Sequence, residues 1–162
     1  MNQFYNKIKA MAKGIKINIY IDMDGVVADY DMIDHKIHGS EKDVYLNKRP
    51  IKTTINIIEK LSHIDNVELY IFSVSRLNNQ IGGKIKWLDK NMPFIKRGNI
   101  IILSREDNNF DEPSIIKSKY YKNNPIDTNA VNIHIDDSHN VLKAIDKLDK
   151  DITPLHISSI LD

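Results

Sequence analysis

The stretch Ile21-Asp22-Met23-Asp24-Gly25-Val26-Val27-Ala28-Asp29 decides how this chain is read. An apolar run of strand type, Ile17-Asn18-Ile19-Tyr20-Ile21, leads into it. Alternate residues of a strand point the same way, but Asp22 and Asp24 lie where the strand must end. There the first carboxylate can face a ligand while the bending chain aims the second at the same point. Gly25 permits the bend because it lacks a Cβ. The result is a compact anionic corner, which calls for a cation; a hard, oxygen-liganded ion such as Mg2+ suits it. Alone, Asp-x-Asp-Gly is also an ordinary turn after a strand, since Asp and Gly are common turn formers. The rest of the chain has to separate the two readings.

Outward from that stretch, apolar strand-type runs alternate with helical patterns. Strands are predicted at residues 17–21, 67–72, 100–103, 131–135 and 155–157. Between them Ile51, Ile55, Ile58 and Leu61 recur at helical spacing, as do Ile81, Ile85 and Leu88, and later Val141, Leu142, Ile145 and Leu148. Such alternation predicts βαβ units and a parallel sheet, with right-handed crossovers placing helices on both faces. Pro154 predicts an edge position for the last strand, because proline cannot donate to the ladder. Loops are expected over 31–50, 107–113 and 123–129.

In open α/β sheets ligands bind outside the carboxyl ends of the strands. Polar candidates fall at three such ends. Asp22 and Asp24 follow the first strand, Ser73 follows Val67-Glu68-Leu69-Tyr70-Ile71-Phe72, and Asp136-Asp137 follows Val131-Asn132-Ile133-His134-Ile135. This coincidence favours chemistry over a simple turn at Asp22, and over a mere acidic helix start at Asp136-Asp137.

The string Asp22-Met23-Asp24-Gly25-Val26-Val27-Ala28-Asp29 resembles the first motif of the haloacid dehalogenase-like (HAD) phosphohydrolase superfamily, and within it the 5'(3')-deoxyribonucleotidase-type members, whose motif reads close to DMDGVLAD. The resemblance spans residues 17 to about 140. It implies a Rossmann-like α/β HAD fold and a Mg2+-dependent phosphomonoesterase, with Asp22 as nucleophile and Asp24 as acid/base. It also implies that the metal takes the Asp22 side chain, the Asp24 main-chain carbonyl and a carboxylate from His134-Ile135-Asp136-Asp137-Ser138, leaving open whether Asp136 or Asp137 is the direct ligand. Ser73 corresponds to the phosphate-binding Ser/Thr of the second motif, in Ile71-Phe72-Ser73-Val74-Ser75-Arg76, with Arg76 where the family often has proline; Ser75 and Arg76 are further candidates for substrate contact.

The third motif departs from the deoxyribonucleotidase pattern. Their lysine follows a strand reading like ILTRDK, whereas this chain has Ile101-Ile102-Leu103-Ser104-Arg105-Glu106-Asp107, with Asp107 in the lysine's place. Other members supply the lysine from the start of a later helix, in a pattern that Lys117-Ser118-Lys119-Tyr120-Tyr121 matches. Lys117 is therefore the expected phosphate-binding cation, ahead of Lys119 and Arg105. The deoxyribonucleotidases also carry a sizeable helical cap between the first two motifs. Here residues 30–50 leave room for only a short insert, in which Lys36, Lys48 and Arg49 are candidates to line the entrance.

Composition sets the remaining bounds. At 162 residues the chain is expected to be a single domain, 1–162. It has no cysteine, which excludes disulfides and thiolate sites and fits a cytoplasmic protein. A formal net charge of +1 carries no nucleic-acid signature, and no apolar run approaches a membrane span. The expected partner is a small phosphorylated substrate, nucleotide-like or otherwise, with Mg2+; a polynucleotide-end phosphatase and a non-catalytic HAD-fold binding module are the alternatives. The basic segment from Met1 to Lys16 is expected to be a solvated lead-in or short helix. Gly82-Gly83-Lys84 lacks the flanking residues of a phosphate-binding Walker loop and is assigned to a helix with Trp87. His35 and His38 are expected to be surface histidines, and the other four are too scattered for a zinc site.

Overall fold

The computed structural model describes residues 2–31 and 38–162. Five parallel strands form one sheet: β1 (Lys16–Ile21), β2 (Val67–Ser75), β3 (Ile100–Ser104), β4 (Ala130–Asp136) and β5 (Ile152–His156), in the order β3-β2-β1-β4-β5. Reversal of strand order beside the central β1 places a switch point at its carboxyl end. The helices are α1 (Gln3–Met11), α2 (Lys52–Ser62), α3 (Ile81–Asn91), α4 (Pro113–Asn123) and α5 (His139–Asp146). No helix of the described residues is long and apolar enough to cross a membrane.

Both faces of the sheet are covered, so β1 is buried along nearly its whole length rather than alternately. Ile17, Ile19 and Ile21 pack into the larger core with residues of α1, α2 and α3. Tyr20 and Phe72 face the other way, onto Tyr121 of α4 and Val141 and Ile145 of α5. The α2 stripe Ile55, Ile58 and Leu61 is buried as its spacing predicts.

Four local expectations are corrected. The N-terminal segment takes the short-helix form of its two expected ones, but it is not solvated: Phe4 and Ile8 of α1 are core residues, the Asn2 side chain caps the helix at Tyr5 N–H and its amide donates to Ile160 O at 2.7 Å. The buried stripe of α3 is Gly83, Lys84, Trp87 and Leu88, with Ile81 and Ile85 only half-buried. β2 runs on through Ser73 to Ser75, which are strand residues paired with β3 rather than residues after the strand. The last strand is Ile152–His156, not 155–157; it contains Pro154 and lies at the sheet edge, where a missing N–H costs no ladder bond.

The expected insert over 30–50 lies partly outside the described residues, as do His35 and Lys36. Its later part is pinned to α3: the Gln80 side chain donates to Gly39 O (2.8 Å) and Glu41 O (3.0 Å), and the Trp87 indole donates to Lys48 O (2.7 Å). Tyr45 is buried there.

Candidate active site

The chain after β1 turns at once. Met23 O accepts the N–H groups of Val27 (3.0 Å) and Ala28 (2.9 Å), Gly25 N–H donates to Ala28 O (2.8 Å), and Met23, Val26, Val27 and Ala28 are fully buried. The apolar half of the motif thus anchors the loop in the core, and the polar half is held rigidly above the sheet. Gly25 has φ +74°, and a Cβ on it would sit 2.0 Å from Asp137 Oδ2. Glycine is therefore required twice, by its backbone conformation and by the closeness of the late acidic pair.

Lys117 enters from the first turn and a half of α4, which starts on Pro113. It is buried, and its Nζ donates to Asp22 Oδ1 at 2.7 Å and to Asp136 Oδ2 at 2.6 Å, with the Phe72 ring 5.6 Å away. Lys119 instead pairs with Asp111 on the surface. Arg105 spends its guanidinium on Asp111 O, Phe110 O and Glu112, although it lies at the cavity wall.

A second lysine reaches the same corner from α3. Lys84 is fully buried and donates to Asp24 Oδ2 (2.6 Å), Ser73 Oγ (2.7 Å) and Val74 O (3.2 Å), with its ammonium 4.3 Å from the centre of the Tyr45 ring. Ser73 thus lies beneath Lys84 and does not line the cavity, whereas Val74, Ser75 and Arg76 do. Sequence reasoning missed Lys84 by setting aside the Gly-Gly-Lys triplet. The available signal was a lysine sharing the i, i+3, i+4 stripe of Trp87 and Leu88.

His134 was missed as well. Its Nε2 faces Asp136 Oδ2 at 3.1 Å and its Nδ1 faces the Tyr121 hydroxyl at 2.9 Å. Burial lowers its pKa to about 4, so the ring is neutral at pH 7. Nε2–H then donates to the carboxylate and Nδ1 accepts from the tyrosine. Asp136 Oδ1 accepts the Ser138 N–H at 2.9 Å, and the Ser138 side chain caps α5.

Asp22, Asp24, Lys117, Asp136 and Asp137 line one open cavity of about 520 Å³ at the carboxyl ends of β1, β2 and β4. Among the described residues, the group of side chains placed to hold a metal is Asp22, Asp136 and Asp137, whose ligand atoms lie within 4.8 Å of one another. The electrostatics fit a cation. Four carboxylates face two ammonium groups. Burial, with Asp136 and Asp24 adding to it, raises the Asp22 pKa to about 7 despite Lys117 and Lys84. Burial and Asp136 also push Asp137 up. Burial disfavours the charge on each lysine, but the neighbouring carboxylates outweigh it and hold both pKa values above the ordinary one. Both lysines stay charged, yet the corner remains short of positive charge. Three carboxylate oxygens so placed could take a hard divalent ion, which would supply what is missing. His38 pairs with Glu41, Arg49 pairs with Asp29, and Lys48 lies over Tyr30; none of the three lines the cavity.

No family model matches the chain, and no curated protein matches it. Solved structures do. A chain of the Pnkp1/Rnl/Hen1 complex is 13% identical, with a TM-score of 0.67 over 88% of this chain and 46% of that one. A second structure, of the Pnkp1/Rnl/Hen1 RNA repair complex, gives 13% identity and a TM-score of 0.64 over 88% and 43%. A haloacid dehalogenase-like hydrolase of Burkholderia xenovorans LB400 is 12% identical, with a TM-score of 0.52 over 86% and 81%. The chain therefore spans less than half the length of the RNA repair chains it matches. At these identities the likeness is one of architecture: the protein has the Rossmann-like α/β fold of the HAD-type hydrolases.

Proposed function

We propose that this protein is a Mg2+-dependent phosphomonoesterase that works through an aspartyl-phosphate on Asp22, acting on a nucleotide or another small phosphate ester. The observation that carries the reading is Lys117, buried between Asp22 and Asp136 at the floor of the cavity. A lysine there fixes the orientation of the nucleophile and offsets the charge of an incoming phosphate. Asp22 attacks phosphorus and the ester P–O bond breaks, while Asp24, which enters the substrate complex with a proton on Oδ1, the oxygen Lys84 leaves unpaired, gives that proton to the leaving oxygen. Asp24 then takes a proton from the water that cleaves the aspartyl-phosphate, releasing inorganic phosphate and restoring Asp22. Lys84 holds Asp24 in place, and Ser73 acts through Lys84.

Asp22, Asp137 and the Asp24 main-chain carbonyl would hold Mg2+, with Asp136 beside them. Asp137 is the more available of the late pair, because both oxygens of Asp136 already accept N–H groups. When bound, the ion neutralises charge on the nucleophile and the phosphoryl oxygens.

A second reading, a polynucleotide-end phosphatase, is supported by the short span that the sequence leaves for an insert between Asp24 and Ser73, and by the likeness to a chain of an RNA repair complex. One experiment tests both. Phosphate release is measured from 5'-nucleotides, sugar phosphates and 3'-phosphorylated oligonucleotides, with Mg2+ and with a chelator. Release from one class, abolished by the chelator and by Asp22→Asn, is expected. No release from any class would leave the fold as a binding module, and full activity in Asp22→Asn would refute the aspartyl-phosphate on that residue.

A further inference from the structure

The cavity is electrically lopsided. The carboxylates of its anionic corner stand at the ends of β1 and β4, whereas its two arginines, Arg76 and Arg105, follow β2 and β3 on the other side of β1. Of the cations in the lining, Lys117 is held between Asp22 and Asp136, and Arg105 is spent on Phe110 O, Asp111 O and Glu112. Arg76 differs. It is exposed, and among the described residues its guanidinium has no hydrogen-bond or ion-pair partner. The chain's other three arginines each hold a carboxylate: Arg49 holds Asp29, Arg97 holds Asp89 and Arg105 holds Glu112. The backbone beneath Arg76 is fixed, because Ser75 O accepts the Arg105 N–H at 2.9 Å and Arg76 O accepts the Glu106 N–H at 3.2 Å. The acids of that facing turn are taken up elsewhere. Glu106 accepts the Asn78 N–H at 2.8 Å, and Asp107 accepts from the Asn78 amide at 2.7 Å. A charged fork thus stands at the cavity wall on a rigid base, with no acid of the protein to hold.

We propose that Arg76 is the subsite for a second phosphate of the substrate, one that is not hydrolysed and that lies on the leaving-group side of the scissile ester. This inference rests on the phosphate-ester reading of the cavity. Lys117, buried at the floor, meets the reacting phosphate. Arg76 leaves the sheet one strand away from Asp22, a step of ~4.8 Å, and its exposed fork meets what stays nearer the mouth. A planar guanidinium takes two phosphate oxygens at once. The volume of about 520 Å³ exceeds what one phosphate fills and falls within the ~300–1,000 Å³ of pockets for larger ligands, so the sugar joining the two phosphates has room.

The test is phosphate release, with Mg2+, from a 3'-phosphorylated dinucleotide and from the same dinucleotide joined by an uncharged methylphosphonate. The full chain should prefer the charged linkage by about tenfold or more in kcat/KM, the worth of one charge-assisted contact, with most of the difference in KM. Arg76→Gln should bring that ratio close to one. Arg76→Lys, which keeps the charge but loses the fork, should retain part of it. A nucleoside 3',5'-bisphosphate against the 3'-monophosphate identifies the source of the second phosphate: an equal preference assigns the subsite to nucleotides, and a preference confined to the dinucleotide assigns it to chain ends. Binding of both dinucleotides to Asp22→Asn, by isothermal titration, separates two failures. A binding preference with no release from the parent sinks the phosphatase reading and leaves the subsite standing. Release without a preference, or a preference that survives Arg76→Gln, overturns the subsite and leaves the phosphatase. No preference in either assay overturns it too. An equal fall in kcat on both dinucleotides in Arg76→Gln puts the guanidinium on the reacting phosphate and overturns it as well.

Discussion

Replacing Lys84 with methionine removes one charge while keeping nearly the length and bulk of the side chain. Three acceptors lose their donor at once: Asp24 Oδ2, Ser73 Oγ and Val74 O. Ser73 is fully buried and cannot turn to water, whereas the Asp24 side chain is 18% exposed. Breaking a buried ion pair from one side costs about 3–5 kcal/mol. Water reaching Asp24 places this case near the lower end, at about 3 kcal/mol. For a domain of this size that lowers Tm by roughly 6–12 °C. Urea denaturation followed by circular dichroism measures the loss. Because most of it comes from the orphaned carboxylate, adding Asp24→Asn should recover roughly half. A Lys84→Met protein within about 0.5 kcal/mol of the parent, or a double variant whose losses simply add, would refute the assignment of Lys84 as the buried partner of Asp24.

Asp24→Asn should slow hydrolysis of an alkyl phosphate by about 10²–10⁴-fold, the usual worth of a general acid, while isothermal titration finds Mg2+ binding little changed. Lys117→Met should cut phosphate release by roughly 10²-fold or more, whereas Lys119→Met, removing only a surface pair with Asp111, should leave the rate near that of the parent. His134 gives a pH signature. Its folded pKa is about 4 against an ordinary 6.5, so the unfolded chain takes up a proton on this residue before the folded one does. The stability it contributes is complete above pH 6.5 and lost as pH falls toward 4; ¹⁵N NMR of the ring in the folded protein should show a neutral Nε2–H tautomer at pH 6.5.

The order of strands and helices was legible because burial on both faces forces apolar runs into the sequence, and the loop after β1 was legible because its turn needs glycine beside acid. Lys117 could be placed from the family pattern of a lysine opening a helix. Lys84 could not be read in the same way. It meets Asp24 across 60 positions, and nothing local to Gly82-Gly83-Lys84 says which face of α3 crosses the end of the sheet. His134 was obscured for a different reason: in a buried strand, alternation does not mark which side a polar residue faces. The misplaced last strand reflects Pro154, which reads as a break but costs nothing where its missing N–H would face solvent. Ser73 reads as a residue after the strand because hydroxyls favour turns; its burial against β3 overrides that preference.

The acidic trio is drawn from the ends of β1 and β4, and Lys117 ties Asp22 to it across 95 positions. Once the chain unfolds, only the adjacent Asp136 and Asp137 remain near each other. The denatured state therefore holds no approximate copy of the site, and a divalent ion taken up by the trio binds the native state alone. By mass action, the free energy of that binding appears in full as resistance to unfolding, about 2.7 kcal/mol at a hundred times the dissociation constant. A thermal melt across an ion series thus measures affinity at this corner with no substrate in hand.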